Sequence, residues 1–431
     1  MKKVFLIFLF LILSNQKVFA VTLSEALLQA YINNPELNAE RENINVSAED
    51  LKISKGNYLP SVTISGSKSQ EDTDKLTNRS GSNETINDVN PSTQSITVEQ
   101  TLIDLGRSAD VQKNKIGLIL TKTKLLKKEQ EILLKAIEAY SGLILANEKS
   151  KINQSNLNLL ERQVETDRAR LERGQITLSD LSQSEASLAG AQANFIQSEN
   201  EIISSKLNYE NVIGPILDTN LLEKNFSMNF TIPDNLINAI EVSKKNNPEL
   251  IIAKLEYEQS EKDVLISRSD LSPTAKLSYE SSRSEDVSST LDERDKSILK
   301  ATISWPLYLG GKNRASLNKS KNVQSRKRLL LESATKTNDT NVAMAWSTFQ
   351  SSKSLLTSVE SQVKAAEIAN EGITVEYESG LGRSTLDVIQ SNSILLNSRI
   401  SLANSERNYL LSQFKLLKSI GLLNSSYLKL Q

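Results

Sequence analysis

The sequence predicts a mainly α-helical protein with a β contribution: a tandem-duplicated unit of long, coiled-coil-like helices with four β-strands per chain. Three observations carry that prediction. The eight prolines in 431 residues leave two long gaps, between Pro91 and Pro215 and after Pro306, and helix interiors exclude proline. Within each gap, apolar residues recur by sevens. Leu181, Leu188, Phe195, Ile202 and Tyr209 form one row, and Val388, Leu395, Leu402, Tyr409 and Leu416 another, beside Ile389, Leu396, Ala403, Leu410 and Leu417. That spacing keeps one seam of a helix against a neighbour, although any single row marks only a buried stripe. The third observation is repetition in order. The first two rows are 207 residues apart at every position, Asn34-Pro35-Glu36-Leu37 returns 213 residues later as Asn247-Pro248-Glu249-Leu250, and Pro60 returns as Pro273. Leu105-Gly106-Arg107 is matched 204 residues on by Leu309-Gly310-Gly311-Lys312. The unit of about 200 residues is too long for a solenoid repeat.

The chain opens on a secretory leader. Lys2 and Lys3 precede an apolar run from Val4 to Leu13, and Val18-Phe19-Ala20 supplies the cleavage site. Ten apolar residues reach only ~15 Å as a helix, about half a bilayer. Loss of Lys2, Lys3 and Lys17 leaves 48 basic residues against 52 acidic ones, with no cysteine to carry a lipid anchor. The expected division is a leader at 1–20, a first repeat at 21–219 with a strand pair at about 60–104, and a second repeat at 220–431 with a strand pair at about 273–308.

Each repeat begins with a short amphipathic helix, Leu23 to Ile32 or Leu236 to Lys245. The Asn-Pro-Glu-Leu then starts a second helix, with proline in its first turn and glutamate near the positive end of its dipole; it runs to about Asn57 or Ser269. Period-two segments follow. Val62, Ile64 and Gly66 alternate with Thr63, Ser65 and Ser67, and Ile96, Val98 and Leu102 with Thr97, Glu99 and Thr101. In the second repeat Ala275, Leu277 and Tyr279 alternate with Lys276 and Ser278, and Leu299, Ala301, Ile303, Trp305 and Leu307 with Lys300, Thr302 and Ser304. These predict four strands of about ten residues, apolar on one face, with polar loops at 69–92 and 282–295. Long helices follow, from Gly106 to Leu171 and from Gly311 to Ser379, each ~100 Å at the α-helical rise. Gly174 and Gly380 mark their stops. Thr177-Leu178-Ser179-Asp180 and Ser384-Thr385-Leu386-Asp387 place a hydroxyl three residues before a carboxylate, which marks a helix start. The returning helices run from Leu178 to Ile213 and from Leu386 to Ile420.

Composition excludes several functions. The chain has no Cys and no His, which removes disulfides, thiolate and imidazole metal sites, and cysteine or serine–histidine nucleophiles. With 51 Lys+Arg against 52 Asp+Glu, no basic excess points to nucleic acid. No glycine-rich phosphate loop and no placed carboxylate pair suggests an enzyme.

Alternating strands of about ten residues suit an outer-membrane barrel, whose smallest form has about eight strands. One chain supplies four, and lipid forbids the open edges of a lone sheet. Two chains would give eight strands and three would give twelve, and the residues alone leave that choice open. Polar inward faces would line a pore.

The assembled features resemble the TolC family of outer-membrane efflux and secretion channels. They are the leader, the duplication, the twice-occurring Asn-Pro-Glu-Leu, and Leu59-Pro60 before the first strand. To these are added Trp305-Pro306-Leu307-Tyr308-Leu309-Gly310-Gly311 before the second long helix, and Tyr377-Glu378-Ser379-Gly380 followed by Thr385-Leu386-Asp387-Val388. The resemblance spans essentially the whole mature chain. It implies a homotrimer with a twelve-strand barrel in the outer membrane and a periplasmic α-helical tunnel. It further implies a passive exit duct, for efflux or type I secretion, joined through a periplasmic adaptor protein to an inner-membrane transporter. Neither a cofactor nor a metal centre is expected.

By the same resemblance the inter-helix turns form the periplasmic gate. Asp180 falls at the gating carboxylate of the first turn, Tyr377 at a tyrosine that reaches such a carboxylate from a neighbouring turn, Arg383 at the gating arginine, and Asp387 at an acidic ring. Helix capping is the alternative role for Asp180 and Asp387, and packing between helices the alternative for Tyr377. The second turn is one residue longer than the first, and Gln390 stands where the family carries a second acidic ring. Gly174, Gln175, Leu381 and Gly382 are candidate adaptor contacts, because small or flexible residues allow close approach. The rival readings are a non-channel periplasmic coiled-coil scaffold or adaptor, which has no use for alternating strands at equivalent places in both repeats, and a surface adhesin.

Overall fold

The computed structural model describes residues 21–72, 80–81, 89–216, 218–224, 230–288 and 291–430. The expected leader and most of the first polar loop lie outside these residues. The elements run α1 (Leu23–Asn33), α2 (Pro35–Gly56), β1 (Ser61–Lys68), β2 (Ser92–Ile103), α3 (Arg107–Glu172) and α4 (Leu178–Val212). The same order then recurs as α5 (Leu236–Asn246), α6 (Pro248–Ser269), β3 (Thr274–Ser288), β4 (Leu291–Ser304), α7 (Lys312–Glu378) and α8 (Thr385–Ser419). The chain forms two compact units. One comprises residues up to Arg41, Lys124–Ile251 and Thr335–Gln431; the other comprises Glu42–Thr123 and Ile252–Ala334.

In the first unit the core is apolar and closed. Leu27, Leu37, Ile132, Leu133, Tyr140, Tyr209, Phe414 and Leu417 are all buried in it. The Asn-Pro-Glu-Leu repeats act as clamps. The Asn34 carboxamide oxygen accepts from the amides of Glu36 and Leu37 at 3.0 and 3.2 Å, capping α2, while its NH2 donates to the Val212 carbonyl at the end of α4 at 3.5 Å. Asn247 does the same in the second repeat, accepting from the Glu249 amide at 2.8 Å and donating to the Ser419 carbonyl at 2.8 Å. One side chain thus starts one helix and ties down the end of another.

The returning helices bury the expected rows only in part. Leu181, Tyr209, Val388 and Leu416 are buried, but so are two further rows at the same spacing, Ser184, Ala191 and Ser198, and Ser391, Ser398, Ser405 and Ser412. Small residues let helices approach closely, and their hydroxyls bridge to the long helices: Ser184 donates to Asp167 of α3, and Ser391 to Asn370 of α7.

The second unit holds the sheet, order β1-β2-β3-β4, antiparallel throughout. Directly paired residues share a face, so the register sorts side chains into rows. Val62, Val98, Tyr279 and Leu299 form one row; Ile64, Ile96, Ser281 and Ser297 lie on one side of it, and Gln100, Leu277 and Ala301 on the other. Val62 is 65% exposed, Ile64 78% and Leu299 70%, so this apolar face is uncovered in the chain. The opposite face carries Ser61, Glu99, Ser278 and Lys300 in one row and Ser65, Ser95, Ser282 and Lys296 in another.

Two expectations are corrected. The strands are not uniformly about ten residues but 8, 12, 15 and 14, and the stretch expected as a polar loop at 282–295 is mostly strand. Pairing continues through Arg283↔Asp295 and Ser284↔Arg294 to Glu285↔Glu293. There both faces are polar, with Arg283 reaching Glu285 at 3.2 Å and Glu293 at 3.4 Å, so no alternation marks the backbone ladder. In β2 a register shift between Thr101 and Ile103 sets Ile103, not Leu102, opposite Ala275.

Candidate functional site

The site is built from two turns in the first unit, α3 to α4 and α7 to α8. Each long helix ends on a left-handed glycine, Gly174 with φ 68° and Gly380 with φ 72°. The next amide reaches back five residues, Gln175 to the Arg170 carbonyl at 2.9 Å and Leu381 to the Glu376 carbonyl at 3.0 Å, which satisfies the helix's last acceptors. Gly382 also takes a positive φ of 84°.

The returning helices start on complete capping boxes. The Thr177 hydroxyl accepts from the Asp180 amide at 3.2 Å, and the Asp180 carboxylate accepts from the Thr177 amide and hydroxyl at 2.9 and 2.8 Å. Ser384 and Asp387 repeat the arrangement at 3.2, 2.9 and 2.9 Å. The backbone and hydroxyl donors of Thr177 hold the Asp180 carboxyl below the usual carboxylate range, and those of Ser384 do the same for Asp387. Both therefore remain anionic while capping. Arg383 pairs through its Nε with Glu376 at 2.6 Å, which raises its pKa and holds the guanidinium more firmly in its charged form.

Tyr377 is buried, and its hydroxyl donates to Asp167 Oδ1 at 2.7 Å and lies 3.0 Å from the Thr385 hydroxyl. Burial, with Asp167 beside it, pushes the Tyr377 phenol up. Asp167 is fully buried and also accepts from Ser184 at 2.6 Å and from Gln163 at 3.0 Å. Arg170 stacks over the Tyr377 ring, 4.1 Å from its centroid, and donates to the Tyr377 carbonyl at 3.1 Å. This network ties α3, α4, α7 and α8 together next to both turns.

An open cleft brings Gln175, Asp180, Tyr377, Gly382 and Arg383 together with Arg170. Gly174, Leu381 and Asp387 do not line it, and Leu381 is exposed. Within the chain, the carboxylate that Tyr377 reaches is Asp167 on α3, not Asp180. The sequence reading missed Asp167 and Arg170. A signal was present: the buried stripe Leu160, Val164 continues at helical spacing into Asp167, and a carboxylate on an apolar stripe demands internal donors. Among the described residues no group of three or more acidic side chains is placed to hold a metal ion, and no helix is long and apolar enough to cross a membrane.

One four-stranded sheet with an uncovered apolar face, built from a helix, strand-pair and helix order that occurs twice in the chain, fits an outer-membrane channel. The outer membrane efflux protein family matches residues 26–214 and 239–422, and the chain belongs to that family. Outer membrane efflux protein BepC of Brucella suis is 24% identical over 422 residues, covering 97% of this chain and 90% of BepC. The proteases secretion protein PrtF of Dickeya chrysanthemi is 22% identical, covering 98% of this chain and 93% of PrtF. The CmeC outer membrane channel of Campylobacter jejuni superposes with a TM-score of 0.79 at 15% identity, covering 93% of this chain and 85% of CmeC. The protein is thus an outer-membrane channel of a family of passive ducts, with its helical part in the periplasm.

Proposed function

We propose that three copies of this chain close a twelve-strand barrel and form the exit duct for an inner-membrane transporter joined through a periplasmic adaptor protein. The carrying observation is the four-stranded sheet with its apolar row Val62, Val98, Tyr279 and Leu299, exposed at Val62, Tyr279 and Leu299. In lipid such a sheet is stable only when its edges are paired, and β4 of one copy meeting β1 of the next satisfies both. The two repeats, 21–219 and 220–431, contribute equivalent helices to the tunnel wall. The duct performs no catalysis and needs no cofactor; the transporter supplies energy and substrate choice. The match to an efflux protein and to a proteases secretion protein supports both cargo classes for this type of duct.

Asp180, Tyr377, Arg383 and Asp387 form the periplasmic gate. Asp180 and Asp387 supply anionic charge around the entrance, while Tyr377, seated on Asp167 and Arg170, holds the second turn against the first. Gly174, Gln175, Leu381 and Gly382 are the adaptor contacts; the exposure of Leu381 supports this. Oligomer mass in detergent and single-channel conductance in a planar bilayer test the reading. A trimer that conducts is expected. A soluble species that never inserts would overturn it and leave a periplasmic scaffold.

A further inference from the structure

The duplication implies a contact that one chain cannot make with itself. In the second unit, α3 of the first repeat packs against α6 of the second. Lys113 pairs with Asp263 at 2.7 Å, and the Gln259 carboxamide donates to the Lys113 carbonyl at 3.3 Å. A Cβ on Gly117 would lie 3.1 Å from the same Gln259 nitrogen. The reciprocal contact would set α7 of the second repeat against α2 of the first. Those two helices belong to opposite edges of the sheet, because α2 leads into β1, α7 follows β4, and the strand order is β1-β2-β3-β4. When copies join head to tail, with β4 of one beside β1 of the next, α7 of one copy lies beside α2 of the next.

Fixed offsets say which residues meet there. α2 and α6 each span 22 residues and begin on prolines 213 apart, Pro35 and Pro248. α3 and α7 are unbroken, and the glycines that stop them, Gly174 and Gly380, are 206 apart. A contact present in both repeats obeys both offsets. Arg107 donates to the Asn57 carbonyl at 3.0 Å, and Asn313, 206 residues on, donates to the carbonyl of Asp270, 213 residues on, at 2.7 Å. Applied to Lys113 and Asp263, the offsets give Lys319 and Asp50, again a cation with a carboxylate. Applied to Gly117 and Gln259, they give Val323 and Val46, two apolar residues.

The matching faces are open in the chain. Val46, Asp50 and Ile53 are exposed, whereas their counterparts Gln259, Asp263 and Ile266 are half-buried. Lys319 is exposed as well. From Lys312 to Arg328, α7 carries seven cations and no carboxylate. Of these only Lys327 makes an ion pair among the described residues, with Glu256. We propose that Lys319 of each copy pairs with Asp50 of the next, beside a Val323–Val46 contact, so that the seam between copies reproduces the seam within the chain. This rests on the reading of the chain as one of three copies in a closed barrel.

The test uses the full chain purified in detergent and exploits its lack of native cysteine. Two differently tagged copies are co-expressed, one with Val46→Cys and the other with Val323→Cys. Oxidation is expected to link the two tags to each other, and not to link copies that carry the same change. Asp50→Lys or Lys319→Asp alone sets like charges together at every boundary. Either is expected to speed subunit exchange between trimers by about tenfold or more. Combining Asp50→Lys with Lys319→Asp is expected to bring exchange back toward the unsubstituted rate. Failure of the two tags to link, or single reversals that the double reversal does not rescue, would overturn the inference while an unsubstituted conducting trimer kept the duct. An unsubstituted chain that stays monomeric would overturn the trimer and the inference together.

Discussion

The Asp167–Tyr377 contact gives a prediction that can be worked through from distances. Asp167 is fully buried and its carboxylate has three donors, Tyr377 at 2.7 Å, Ser184 at 2.6 Å and Gln163 at 3.0 Å. Tyr377→Phe removes one donor from a buried anion without creating a cavity. A hydrogen bond to a charged group contributes ~1.5–3 kcal/mol, and each ~1.4 kcal/mol is a factor of ten. The amides of residues 378–384, which this contact holds against α3, should therefore open and exchange about 10- to 100-fold more often in the variant. Asp167→Asn weakens the same bond from the other side, so the two substitutions should couple by about 1.5 kcal/mol or more in a double-mutant cycle. Arg383→Ala, which removes an exposed ion pair to Glu376, should change exchange less than Tyr377→Phe does. Single-channel recording of the same variants should show Tyr377→Phe altering the dwell-time ratio more than Arg383→Ala. Additive effects of Tyr377→Phe and Asp167→Asn, or a larger response to Arg383→Ala, would refute the reasoning.

Other residues give further expectations. A Cβ at Gly421, where φ is 81°, would lie 2.2 Å from the Asn246 carbonyl oxygen, whereas at Gly380, φ 72°, it would meet nothing within 4 Å. Gly421→Ala should therefore abolish assembly in a detergent mass measurement, and Gly380→Ala should cost only the ~1–2 kcal/mol of a left-handed non-glycine residue. Asn247→Ala removes both the cap on α6 and the tie to the Ser419 carbonyl, and should lower stability to denaturant by ~1–2 kcal/mol or more. Because the Asp180 and Asp387 pKa values lie below their ordinary 3.8, the stabilisation from their caps is complete above that value and is lost as pH falls through the depressed one. Their contribution to cation preference should accordingly be constant from neutral pH to about 5, and Asp387→Asn should reduce it throughout that range, as read by reversal potential.

Helix ends were legible because chemistry punctuates them. Pro35 and Pro248 start helices, Gly174 and Gly380 stop them, and Thr177 with Asp180 or Ser384 with Asp387 restart them; the structure moves the expected helix ends by at most one residue. The outer parts of β3 and β4 were not legible. Backbone pairing needs no particular side chain once the strands are in register, so Arg283, Ser284 and Glu285 continue a ladder that carries no apolar alternation. The seams of small residues, such as Ser391, Ser398, Ser405 and Ser412, escaped because burial of serine leaves no hydrophobic signal. Asp167 escaped for a related reason. Its donors come from Ser184 and Tyr377, distant in sequence, and only the fold assembles them.

The sheet also shows why its two faces inform differently. A slip of one residue would exchange them, setting Lys296 and Lys300 into lipid and Leu299 and Ile303 into the bore. A lysine on the lipid face costs ~2–4 kcal/mol near the bilayer midplane, so two lysines in each chain penalise the wrong register beyond any gain from the ladder itself. The apolar row Val62, Val98, Tyr279 and Leu299 is thus demanded by the membrane. The inward residues carry no such demand: serine, threonine, lysine or glutamate are all tolerated by water.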